Sequence, residues 1–161
     1  MRKKPEPGLR ARALQYLARR EYSRAELRSK LLPHVQGDPE GDLEPLAGLD
    51  VLLDDFAARG WLSDERAATQ LIHAKRQRYG TQRITHELRQ RGIPDELIDA
   101  ALPQLKETEQ GAVREVWQKK FGRLPQDNQE KARQIRFLQS RGFSPEVILK
   151  LLRNQYDGDI G

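Results

Sequence analysis

Three times this chain breaks a helical pattern with the same short device: an arginine, a glycine and a large apolar residue, at Arg59-Gly60-Trp61, Arg91-Gly92-Ile93 and Arg141-Gly142-Phe143. Glycine suits such a stop because it takes the left-handed C-terminal cap without a side-chain clash. Between the breaks, apolar residues recur every three or four positions, which lines one face of a helix and leaves the other in water. A second echo comes from aromatic residues. Tyr22, Tyr79 and Phe121 each close the first helix of a stretch, the last two followed by glycine. A chain punctuated this way is confined to short helices, in units of roughly 40–50 residues that are marginal alone and must stack on a neighbour or a partner.

The spacing predicts nine helices and no convincing strand. Leu9, Ala13, Leu14 and Leu17 form the first stripe. Ser23 and Glu26 make a capping box for a short helix with Leu27 and Leu31 inward. Leu46, Leu49, Leu52, Leu53 and Phe56 form the third, stopped by Gly60. Ser63 caps the fourth, with Ala67, Ala68, Leu71, Ile72, Lys75 and Tyr79 on one stripe and Gly80 as a left-handed stop. Thr81 caps the fifth, with Ile84 and Leu88 inward. Pro94 opens the sixth, where Pro103 should kink or end the stripe Leu97, Ile98, Ala101, Leu102 and Leu105. Val113, Val116, Trp117 and Phe121 form a seventh helix, Asp127 and Glu130 make a second capping box for an eighth, and Ser144-Pro145-Glu146 starts a ninth. These fall into three degenerate three-helix repeats at 9–60, 63–105 and 107–153, an all-α fold strung out as an elongated tandem array. Residues 1–8 read as a disordered tail, 33–45 as an acidic, proline-containing linker, and 154–161 as a frayed tail.

Charge is distributed unevenly. Residues 2–30 carry ten basic and three acidic side chains, while 38–55 carry seven acidic and no basic ones. From Gln70 to Gly92, Lys75, Arg76, Arg78, Arg83, Arg89 and Arg91 stand against Glu87 alone. One acid among seven charges leaves little self-pairing, so this stretch presents an open positive field suited to a polyanion or an acidic protein groove. For Arg10, Arg12, Lys119 and Lys120 a solvated helix face is the better reading.

The sequence offers no catalytic constellation and no cofactor fingerprint. It has no cysteine, so disulfides and thiolate metal sites are excluded. His34, His73 and His86 lack ligand spacing, and Asp54-Asp55 cannot face one ion from adjacent helical positions. With 6% aromatic residues to build three small cores, Trp61 and Trp117 are expected as buried anchors rather than base-stacking platforms. No apolar run reaches membrane-spanning length, and a soluble cytoplasmic protein is the default expectation.

Four segments together resemble the RecX family, bacterial regulators of the RecA recombinase: ALQYLARREYSRAELRSKL (13–31), GWLSDERAA (60–68), YGTQRITHELRQRGI (79–93) and KARQIRFLQSRGFSPEVI (131–148). They span nearly the whole chain in the family's order. Ala68 stands where that family often has an aromatic, and the 33–45 insertion is longer than usual. The resemblance implies tandem three-helix repeats and a non-enzymatic, monomeric modulator that needs no cofactor or metal. Its partner would be the RecA–single-stranded DNA filament, bound in the helical groove to inhibit ATP hydrolysis and strand exchange, with at most weak direct binding to DNA. On charge, the contact residues would be Lys75, Arg76, Arg78, Arg83, Arg89 and Arg91, supported by Arg19, Arg20, Arg24, Arg28 and Lys30 of the first repeat. The competing reading is a direct DNA-binding protein of helix-turn-helix type, with Thr81–Arg91 as recognition helix and Thr81-Gln82-Arg83 at its reading end.

Overall fold

The computed structural model of the chain describes residues 6–35 and 44–159. Parts of the expected N-terminal tail (1–5), acidic linker (36–43) and C-terminal tail (160–161) lie outside the described residues. Among those described there are eight α-helices and no strand: α1 (Leu9–Arg19), α2 (Arg24–Leu31), α3 (Pro45–Ala58), α4 (Asp64–Lys75), α5 (Thr81–Gln90), α6 (Asp95–Lys120), α7 (Asn128–Ser140) and α8 (Pro145–Asp159). A short 3-10 turn at Leu32–His34 follows α2.

Two compact units form, and neither is continuous in sequence. One contains residues 1–70 and 91–94, the other residues 71–90 and 95–161. In the first, α2 packs between α1 and α3 over Ala13, Tyr22, Leu27, Leu31, Leu49, Leu53, Phe56 and Leu62. Each fully buried leucine here contributes about 1.5–3 kcal/mol relative to exposure, so eight residues make a thin but sufficient core for so short a segment. The start of α2 is pinned from several sides. The predicted capping box is complete: Glu26 N–H donates to Ser23 Oγ at 3.0 Å, and Ser23 N–H to Glu26 Oε1 at 3.2 Å. Arg24 N–H donates to Asp64 Oδ1 at 2.7 Å, and the Ser23 hydroxyl donates to the Arg91 carbonyl. The Arg91-Gly92 break therefore seats on the first turn of α2, with Gly92 packed close against the Ala25 side chain.

The second unit repeats this joint. Gly80 N–H donates to the Arg141 carbonyl at 2.7 Å and Gln82 N–H to the Gly142 carbonyl at 3.2 Å, so the Arg141-Gly142 break seats on the first turn of α5. Gly142 has φ of +92°, and a Cβ there would lie within 2.7 Å of the Arg83 backbone nitrogen. Gly80 differs from its predicted role. Its φ is not positive, and it is needed instead because any Cβ would collide with the Gly142 backbone. The main core of this unit joins α6, α7 and α8 through Val113, Val116, Trp117, Leu138, Phe143, Ile148, Leu151 and Leu152. Trp117 is the buried anchor that the sequence predicts, and its indole N–H donates to Gln134 Oε1 at 2.9 Å. Trp61 is not, being 40% exposed with its ring edge-on to Phe56.

The helix count also departs from prediction, because the expected sixth and seventh helices are one. α6 runs for 26 residues straight through Pro103. Proline removes one hydrogen bond, to the carbonyl of Asp99, yet both residues are exposed and water can replace the donor. On the other face Ile98 and Leu105 are buried on either side of it, and that burial outweighs the local break.

Candidate functional site

The basic residues of the first unit largely face the acidic helix α3. Arg24 Nη2 pairs with Asp54 Oδ1 at 2.6 Å and Arg28 Nε with Asp50 Oδ1 at 3.2 Å. Arg10 and Arg59 share Asp55, at 3.1 and 3.0 Å, and their hydrogen bonds hold that carboxyl below its ordinary pKa. The adjacent acids Asp54 and Asp55 are thus ion-pair partners. Arg20 binds Glu26 at 2.8 Å, donates to the Glu21 carbonyl and lies 3.7 Å from the Tyr22 ring centroid. The bond to Glu26 raises its pKa, overcoming the opposing effect of burial. Exposed pairs of this kind are worth only about 0–1 kcal/mol each, but they cancel the positive field of the segment. Of the five first-repeat residues proposed as contacts, only Arg19 and Lys30 are exposed without a partner among the described residues.

The central cluster divides. Arg76 turns inward: its guanidinium donates to the Leu105 carbonyl, to Thr108 Oγ1 at 3.1 Å and to Thr81 Oγ1 at 3.2 Å. Burial lowers its pKa, against the opposing charge of Glu109. Glu109 is 7% exposed and accepts the Thr81 N–H at 3.4 Å at the start of α5. Thr81 therefore spends its hydroxyl on Arg76 and Leu105 rather than on a helix cap. Lys75 approaches Glu87 at 3.9 Å. Arg91 is half-buried, and its backbone carbonyl accepts the Ser23 hydroxyl. Arg78, Arg83 and Arg89 remain exposed, with no carboxylate partner among the described residues. Arg83 lies over the Tyr79 ring at 4.1 Å and donates to the Ser140 carbonyl at 3.4 Å, contacts that hold its guanidinium without neutralising its charge.

Arg78 also shares a groove with Lys119 and Lys120, whose sequence reads as an ordinary solvated helix face. Together Gln77, Arg78, Val116, Lys119, Lys120, Phe137 and Arg141 line a groove of about 260 Å3 within the second unit. The end of α4, the end of α6 and the last turns of α7 converge there. Lys120 Nζ lies 5.2 Å and the Arg141 guanidinium 5.1 Å from the Phe137 ring centroid, and Arg141 also reaches Tyr79 at 5.4 Å. The signal for Arg141 was present in the sequence as the repeated Arg-Gly break. Lys119 and Lys120 carried none beyond their position at a helix end.

Among the described residues no group of three histidine, cysteine, aspartate or glutamate side chains is placed to hold a metal ion, and no helix is long and apolar enough to cross a membrane. The arrangement offers charge, aromatic support and backbone joints.

Two family models match the chain: the second three-helix domain of RecX over residues 63–102 and the third over residues 107–152. A regulatory protein RecX from Leptothrix cholodnii is 44% identical over 97% of this chain and 96% of its own length. One from Ralstonia pickettii is 40% identical over 90% of this chain and 86% of its own. The crystal structure of RecX from Lactobacillus salivarius superimposes with a TM-score of 0.69 at 16% identity, covering 91% of this chain and 93% of that one. Another RecX crystal structure gives 0.70 at 21% identity over 89% and 70%. The fold therefore recurs where little sequence is shared. Near-full-length identity above the level at which families diverge, together with both domain matches, makes this chain a member of the RecX family of regulatory proteins.

Proposed function

We propose that the chain is a non-enzymatic negative modulator of the RecA recombinase, acting in the cytoplasm as a monomer in DNA repair, recombination and the SOS response. In this reading it lies in the groove of the RecA–single-stranded DNA filament, contacts successive protomers and inhibits ATP hydrolysis and strand exchange. The observation that carries the reading is the set Arg78, Arg83 and Arg89: exposed cations, on and just before a short helix, with no internal carboxylate to neutralise them. Arginine near phosphates binds in a salt-sensitive way, and several weak contacts on one chain gain by effective concentration. Arg76 leaves the proposed contact set, because its donors are used inside the unit.

The duplex-reading alternative is less well supported. A recognition helix brings its first turn to base edges. Here the first turn of α5 lies under the Arg141-Gly142 break, with Thr81 buried.

The test is a RecA ATPase titration on single-stranded DNA with Arg83→Glu/Arg89→Glu. Losing two phosphate contacts should raise the concentration needed for half-inhibition by about tenfold or more, with helicity by circular dichroism unchanged. Inhibition equal to that of the parent chain would remove α5 from the interface.

A further inference from the structure

The groove between the ends of α4, α6 and α7 combines features that the charge-based contact set does not use. Its lining has four cations, Arg78, Lys119, Lys120 and Arg141, and no carboxylate. The side chains of Arg78 and Lys119 are exposed and have no hydrogen-bond or ion-pair partner among the described residues. Its floor is Val116 and Phe137, and most of its open surface is apolar. A cationic rim around an apolar floor selects a ligand that is both anionic and greasy. We infer that this groove docks an acidic segment of a partner protein, with one apolar side chain on the Val116–Phe137 floor and carboxylates against the rim.

Charge complementarity alone would admit a nucleic-acid strand. The floor argues for the peptide. A bound base needs an open aromatic face. The Phe137 ring already carries the Lys120 ammonium at 5.2 Å, the Arg141 guanidinium at 5.1 Å and the Phe121 ring edge-on at 5.5 Å. A phosphate backbone would use the rim and leave the apolar floor wet. An amphipathic peptide uses both, in the manner of a short segment laid into a hydrophobic groove. Carboxylates of the incoming peptide would also find Arg78 and Lys119 without competition from internal acids, so no existing ion pair has to break.

The test needs no filament, so its outcome is separate from that of the RecA titration. Full-length chain is titrated against a fluorescein-labelled peptide of glutamate and aspartate with one central phenylalanine. The comparisons are the same peptide with serine in place of phenylalanine, and an oligothymidylate of equal charge. We expect the phenylalanine peptide to bind about tenfold tighter than the serine peptide, and Lys119→Glu/Lys120→Glu to weaken it by about tenfold or more. Because those lysines sit at a helix C-terminus, Lys119→Gln/Lys120→Gln replaces the charge reversal if helicity falls, with a smaller loss in the same direction. Equal binding of the two peptides overturns the proposal, as does binding that both lysine variants leave unchanged. Full displacement of the peptide by oligothymidylate, at the same affinity as the peptide itself, reassigns the groove to phosphate.

Discussion

Arg76 and Arg78 stand two positions apart in one basic run, and the structure gives them opposite jobs. Arg76 satisfies a backbone carbonyl of α6 and two threonine hydroxyls, while Arg78 reaches water and the groove. Removing a buried donor costs the desolvation of every acceptor left behind, whereas an exposed side chain without partners costs almost nothing. Arg76→Ala should therefore lower stability by about 1–3 kcal/mol in urea unfolding, and Arg78→Ala should stay within about 0.5 kcal/mol of the parent. Equal midpoints for the two variants would remove Arg76 from the packing account. The sequence could not make this distinction. The charge count sets one acid against six cations, which holds for Arg78, Arg83 and Arg89. It was silent on acceptors supplied by Leu105 and Thr108, which approach Arg76 only once α6 is in place. Short-range chemistry was legible: the Ser23–Glu26 box and the Ser63 cap form as spacing predicts, because both partners lie within one turn. The Asp127–Glu130 box is half made: Asp127 accepts the Glu130 N–H, while the Glu130 carboxylate takes the Gln126 N–H.

Helices were legible wherever an apolar stripe ended on a glycine break, and misread where proline stood on the wet side of a longer stripe. The cost of proline in α6 depends on which face carries it, and the wet face carries Pro103. Restoring the missing donor tests this. Pro103→Ala should stabilise the chain by about 1–2 kcal/mol, since the native ring forgoes a helix bond and returns only some unfolded-state entropy. A fall in the urea midpoint would mean instead that Pro103 sets a bend the packing requires. Gly80 teaches a related lesson. Its position after a helix suggested a left-handed cap, yet what excludes a side chain there is the Gly142 backbone, over sixty residues away in sequence. Close approach between distant glycines leaves no local mark. The recurrence of Arg-Gly did hint at it, because both breaks that follow a second helix seat on an earlier first turn.

At the scale of the molecule, opposite charges that looked like separate blocks in sequence partly annul one another. Arg10 of α1 and Arg24 and Arg28 of α2 meet Asp55, Asp54 and Asp50 of α3, leaving Arg19, Arg78, Arg83 and Arg89 as the exposed arginines of the proposed contact set without a carboxylate partner among the described residues. Binding to preassembled filaments should then weaken as salt rises. For Arg83→Glu/Arg89→Glu, the slope of log affinity against log salt should be shallower by about 1.4, the share of two contacts to a single strand. An unchanged slope would place the phosphate contacts elsewhere on the chain. The joint between Arg91-Gly92 and the start of α2 carries a different consequence. A ribosome delivers residues in order, but the first compact unit takes in residues 91–94 after skipping twenty that belong to its neighbour. The nascent N-terminal part therefore stays incomplete until most of the second repeat has emerged, so its maturation is tied to the progress of translation through the basic stretch.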